Sequence, residues 1–251
     1  MKNNEYIYIV FVKALTGLGR FARMFSKYEY THIAVMMNPK KDDFATFSRK
    51  KHFTPFDSGF MHETLDCYAF GRNKKVKLKI YKVPVSLAAK QRIQSFIEDV
   101  EADKDYIFNI YSMATMSFLH GFTIYKAHNC MSFVAYILKL SGAVTMTRPY
   151  YKYNIEEMDE LLSEYKCKVG YYSKKEENTF GYMDRVSLVS NVHMFIKLNK
   201  ELIRRCANGT MALALGKIKN MLTFIMGSGK LGFRDISTLI SRVLTNRKSR
   251  T

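Results

Sequence analysis

Cys130 follows Asn129 at the head of an apolar run that carries Phe133, Val134, Ile137 and Leu138 and stops at Gly142. Asparagine suits a helix N-cap and glycine a left-handed C-terminal cap, so the spacing predicts a helix with the thiol in its first turn. That position has chemical meaning. The thiolate is the reactive form of cysteine, and it is favoured where unpaired N–H groups and the helix dipole converge. The same N–H groups can stabilise the oxyanion formed when a thiolate attacks a carbonyl carbon.

Such a nucleophile needs a basic partner, and six histidines are available: His32, His52, His62, His120, His128 and His193. His32 opens the apolar segment THIAVMM, which reads as a strand and hence a rigid mount. His52 and His62 fall in a loop-like stretch and His193 in the C-terminal part of the chain. His128, two residues from Cys130, is poorly placed to face a side chain on the following helical turn. His32 is therefore the preferred partner. Taken singly, a cysteine on an apolar helix or a histidine on a strand is ordinarily a packing residue, and the case rests on the pair.

The elements that must bring the pair together are legible in outline. Residues Tyr6–Val12 read as a first strand, followed by a loop at Thr16–Gly19 and a short helical turn over Arg20–Ser26. Thr31–Met37 and Phe44–Arg49, separated by an Asn-Pro-Lys-Lys-Asp-Asp turn, read as an antiparallel hairpin. Lys75–Lys82 alternates apolar Val76, Leu78 and Ile80 with lysines expected to face water. Ser86 caps a helix whose stripe is Ile93, Phe96, Ile97 and Val100 and which ends near Ala102. Ile155–Glu164 reads as a short helix and Lys166–Tyr172 as a further strand.

The 251 residues, 47% hydrophobic and 25% charged, can bury a sizeable core, which excludes a disordered or collagen-like chain. No run of eighteen apolar residues occurs, so no transmembrane helix is expected, and the N-terminus reads as a strand rather than a signal peptide. Cys67, Cys130, Cys167 and Cys206 are widely spaced without a CxxC pair. Neither a zinc ribbon nor a disulfide scaffold is expected, no metal or other cofactor is called for, and a reducing, cytoplasmic setting is the simpler expectation.

Tyr30-Thr31-His32-Ile33-Ala34-Val35 resembles the histidine strand, and Asn129-Cys130-Met131-Ser132-Phe133-Val134 the nucleophile helix, of the circularly permuted NlpC-like branch of papain-like cysteine hydrolases. Lecithin retinol acyltransferase belongs to the same broad group. Further matches are Thr46-Phe47-Ser48-Arg49-Lys50, Gly59-Phe60 with Glu63, Lys82-Val83-Pro84-Val85, Tyr106-Ile107-Phe108-Asn109 and Ser141-Gly142, over roughly residues 5–172. The resemblance implies an α+β fold, a permuted papain-like antiparallel sheet packed on helices, with histidine before cysteine in the chain. In papain the order is reversed, which geometry tolerates because a catalytic pair is defined in space.

By this resemblance Cys130 is the nucleophile and His32 the base that activates it and then protonates the leaving group. A polar residue on the strand after the histidine would orient the imidazole. Thr46 and Ser48 share one face of that strand, and Ser48 is the choice, with Glu63 as the other candidate. The reaction class implied is attack on an amide, ester or thioester of a peptide or lipid, through an acyl-enzyme released to water, an amine or an alcohol. The alternative is a weakly active or inactive papain-like scaffold serving as an interaction module.

Composition shifts near residue 175, giving a hydrolase-like domain over 1–175 and a basic, mainly helical extension over 176–251. From Val186 to Thr251 there are 12 Lys/Arg against 2 Asp/Glu, ten of the net charge of +18. Helices are expected on either side of interruptions at Asn208-Gly209 and Gly227-Ser228-Gly229. Stripes at Leu213, Leu215, Ile218, Met221, Leu222 and Ile225, and at Ile236, Leu239, Ile240 and Val243, have helical spacing. They either pack on the core or on one another, or meet an anionic membrane surface through 186–251, which would make the protein peripheral. Nucleic-acid binding is not expected, because charge alone supports it. The oligomeric state is not indicated.

Overall fold

The computed structural model describes residues 5–13, 28–69, 75–173 and 181–227, the side chains of 117, 118 and 210–227 excepted. The loop and turn expected at 16–26, the stripe expected at 213–225 and the helix expected at 235–244 lie outside the described residues or side chains. Met1–Ile203 forms one compact unit and Arg204–Thr251 another.

The first unit is α+β. Its strands are β1 (Glu5–Val12), β2 (His32–Met36), β3 (Phe44–Arg49), β4 (Ser58–Glu63), β5 (Lys75–Val85), β6 (Ile107–Phe108), β7 (Ala127–His128) and β8 (Lys166–Ser173). Six of them form one sheet in the order β4-β3-β2-β1-β5-β8, every pair antiparallel. Strands β6 and β7 form a separate parallel pair. The helices are α1 (Leu87–Ala102), α2 (Ile110–Ala114), α3 (Met116–Leu119), α4 (Cys130–Ser141), α5 (Ile155–Leu161) and α6 (Leu188–Gly227).

The central strand β1, EYIYIVFV, has no polar face because both of its faces are covered. Ile7, Ile9 and Phe11 point into the main core with Ile33, Val35, Ala45 and Phe47, against Ile93 and Ile97 of α1 and Phe133, Val134 and Ile137 of α4. Val10 and Val12 point the other way, into a smaller core with Ala34, Met36, Phe44, Tyr68, Val76 and Tyr182. Each such apolar side chain contributes about 1.5–3 kcal/mol relative to exposure.

Helix α4 is the most completely buried helix end to end, with nine of its twelve residues inside. Its cap is reciprocal: Asn129 Oδ1 accepts from Ser132 N–H at 2.9 Å, and Asn129 N–H donates to Ser132 Oγ at 3.1 Å. Gly142 ends it at φ +64°. On α1, Ser86 Oγ accepts from Ala89 N–H at 3.1 Å.

Four expectations are corrected. Helix α6 runs unbroken through Asn208-Gly209, since one interior glycine costs a helix only about 1 kcal/mol. His62 lies not in a loop but on β4, where it bonds Asp43 at 2.5 Å. The β5 lysines do not simply face water: Lys77 pairs with Glu29 at 2.8 Å and Lys79 with Asp159 at 2.6 Å. Residues 181–203, grouped with the extension on composition, pack within the first unit. Leu198 and Leu202 of α6 sit against Ile124 and Ala127, and Tyr182 joins the second core.

Candidate active site

His32 is the first residue of β2, and Cys130 the first residue of α4. Although 98 residues apart in sequence, they meet at the end of the sheet, with the sulfur near enough to the imidazole to act on its charge. Cys130 belongs to the main core and is 6% exposed. The ring reaches from that layer to the other, where its Nε2 bonds Glu63 Oε2 at 2.7 Å. With Nε2 committed to the carboxylate, Nδ1 is the nitrogen left for the sulfur.

Glu63, at the end of β4, is 2% exposed and carries more than one partner. Tyr68 Oη donates to the same Oε2 at 2.6 Å, and the Ser48 hydroxyl on β3 is near enough to help hold the carboxylate ionised. The orienting group on His32 is therefore Glu63. Ser48, the choice from sequence, acts one step further out, holding Glu63 rather than the ring. The physical reason is charge: a buried carboxylate fixes an imidazole by both ion pairing and hydrogen bonding, which a hydroxyl does only by the latter. Thr46, the other candidate on β3, is fully buried and donates to the Ile33 carbonyl at 2.9 Å, a structural role.

The electrostatics follow. Burial alone would lower the His32 pKa, but the Glu63 charge, the neighbouring Cys130 sulfur and the hydrogen bond that the imidazole donates to Glu63 outweigh it and raise it to about 10. Burial alone would raise Glu63, yet the His32 charge, the bonds from His32 and Tyr68 and the nearby Ser48 hydroxyl hold it below the ordinary carboxylate value. Both partners move toward the charged pair. Tyr68, pushed well up by burial and by Glu63, stays a neutral donor. Its part was invisible in the sequence, because it comes from a short turn after β4 with no periodicity.

At the head of α4, the Asn129 side chain takes the Ser132 N–H and its carbonyl takes the Phe133 N–H. The N–H groups of Cys130 and Met131 lie outside both bonds, at the helix end where anionic charge is stabilised. The Nδ2 of Asn129 is buried and has no hydrogen-bond partner among the described residues.

The remaining histidines and cysteines serve elsewhere. His52 bonds Arg49 and burial lowers it to about 4. His120 caps α3 at φ 51°, and His193 is exposed on α6. Burial likewise takes His128 to about 4. It lines a cavity of about 470 Å³ walled by Phe96, Tyr106, Tyr136 and Tyr150, which contains neither Cys130 nor His32. Cys67 is buried, with its thiol raised by that burial, whereas Cys167 and Cys206 are exposed; none of the four cysteines is in a disulfide. Among the described residues no cluster of His, Cys, Asp or Glu could hold a metal ion, and no helix is long and apolar enough to cross a membrane. No protein-family model, curated protein or solved structure matches the chain.

Proposed function

We propose that the protein is a thiol-dependent hydrolase or acyltransferase of the permuted papain-like kind, acting on an amide, ester or thioester through an acyl-enzyme. The observation that carries this reading is one buried chain of contacts, Cys130 to His32 to Glu63, at the head of a capped helix. The sheet order and the histidine-first chain order are compatible with a permuted papain-like core.

In the first half-reaction the Cys130 thiolate forms a bond to the carbonyl carbon while the carbonyl π pair moves onto oxygen. The N–H groups of Cys130 and Met131 are positioned to receive that oxyanion. As the carbonyl re-forms, the bond to the leaving nitrogen, oxygen or sulfur breaks, and His32 gives that atom its proton. In the second half, His32 takes a proton from water, an amine or an alcohol. The new nucleophile attacks the thioester and the Cys130 thiolate departs. Glu63 keeps the imidazole oriented and compensates its charge throughout.

A reactive acyl-type thiol probe followed by site-resolved mass spectrometry tests this. Cys130 is expected to be acylated faster than exposed Cys167 and Cys206, and His32→Ala to slow it at least about 100-fold. Equal labelling of Cys130 in wild type and His32→Ala would sink the proposal. The Cys130→Ala variant provides the blank.

A further inference from the structure

Helix α6 shows three different sides over Leu188–Ile203. At about 100° per residue, Leu198 and Leu202 fall on one side, and these are the residues packed on Ile124 and Ala127. Leu188, Val189, Val192, Ile196 and Ile203 fall together on a second, within an arc of about 100°. Leu188 is 80% and Val189 79% exposed, and the other three lie between 49% and 59%. Lys200 falls at the edge of that arc and Lys197 about 80° beyond it, both exposed and without an ion pair among the described residues. Five large apolar side chains in one exposed stripe are more than a helix docked on a domain leaves to solvent by chance.

We propose that this outer side of α6 seats the protein on an anionic membrane surface. The apolar stripe enters the boundary between headgroups and acyl chains, while Lys197 and Lys200 meet the negative headgroups. Charge decides the occupant. Between Leu188 and Ile203 Glu201 is the sole acidic residue, and the whole chain carries +18. A second copy would bring lysine against lysine with almost no acidic counterpart, whereas an anionic lipid surface supplies the missing charge and takes up the apolar stripe at once. The helix is anchored on the segment that leads through β7 into Cys130, so the contact would hold the candidate site near lipid. The proposal stands without the enzymatic reading.

Vesicle flotation of the full chain tests it, using phosphatidylcholine alone and phosphatidylcholine with about one-third phosphatidylserine. Wild type and Cys130→Ala are expected to float with the anionic vesicles, less so at high salt. The V192D/I196D double variant, on a solvent-exposed surface and checked for unchanged melting, should lose at least about tenfold in partitioning. K197Q/K200Q should lose about tenfold on anionic vesicles and nothing on neutral ones. Flotation of V192D/I196D at the wild-type level, or failure of wild type to float, overturns the proposal. So does a wild-type dimer in sedimentation that V192D/I196D breaks, which would assign the stripe to a second copy.

Discussion

At the scale of single residues, the site turns on Glu63, because it is a carboxylate held in the interior by the charge it faces. Glu63→Gln keeps the shape and a hydrogen-bond acceptor but removes that charge. The His32 pKa is then expected to fall from about 10 to below its ordinary value, since burial, which lowers it, is left less opposed. NMR titration of the His32 ring reads this directly. Linkage gives the same pair a signature in stability. His32 is raised by folding, so its contribution is complete below pH 6.5 and is lost as pH rises through about 10. Glu63 is lowered, so its contribution is present above pH 4.5 and is lost on acidification. Melting temperature against pH should therefore sag at both ends in wild type. In Glu63→Gln the alkaline sag should go, while the acid side still falls because the buried His32, lowered below its ordinary value, resists protonation in the fold. Ser48→Ala separates the two orienting candidates. It removes only the outermost polar neighbour of Glu63 and should leave His32 titrating above its ordinary value, since Glu63 still faces the ring. A His32 pKa that collapsed in Ser48→Ala and not in Glu63→Gln would reverse the assignment.

At the scale of elements, the nucleophile depends on how the chain enters and leaves α4, and two glycines with positive φ show that similar backbone angles carry different costs. Gly142 ends α4 at φ +64°, and a Cβ there would meet nothing within 4 Å. Gly142→Ala should cost only the left-handed backbone penalty, about 1–2 kcal/mol. Gly121, at φ +73°, would place its Cβ 2.2 Å from the Tyr151 carbonyl oxygen, a backbone atom that cannot swing aside. Gly121→Ala must move a backbone segment as well and should destabilise by clearly more than Gly142→Ala, as urea unfolding would measure. Gly142 was legible in the sequence and Gly121 was not, and the difference is local against tertiary cause. Caps, alternation and helical stripes are written in neighbouring residues, which is why Ser86, Asn129, Gly142 and the β1, β2 and β5 strands could be read directly. The choice between Ser48 and Glu63 depended on which strand ends reach His32, and the role of Tyr68 on a turn folding back over the second core. Neither is encoded in periodicity. The unbroken α6 marks the opposite failure, where a local breaker signal, Asn208-Gly209, is overridden by a long run of helix-forming neighbours.

At the scale of the whole molecule, the shift in charge near residue 175 suggests a boundary that the packing does not respect. Tyr182 closes the second core: its carbonyl accepts from His52 N–H at 2.7 Å, and its hydroxyl accepts from Arg49 Nε at 3.3 Å. Leu202, fully buried, and Leu198 cover Ile124 and Ala127, while Tyr111 Oη donates to Asn199 at 2.5 Å. A chain ending at residue 175 would lose all of these and open both the second core and the segment that leads through β7 into Cys130. Loss of the buried Tyr182, Leu198 and Leu202 side chains, at about 1.5–3 kcal/mol each, amounts to a large part of the 5–15 kcal/mol by which a domain is stable. A chain ending at Ile203 keeps every one of them. The expected result is a cooperative melt close to wild type for residues 1–203, and for residues 1–175 a melt lowered by tens of degrees or aggregation on expression. Equal melting of the two truncated chains would mean that 181–203 contributes nothing to the fold. Its apolar contacts would then have to be reassigned to docking after folding rather than to the core itself.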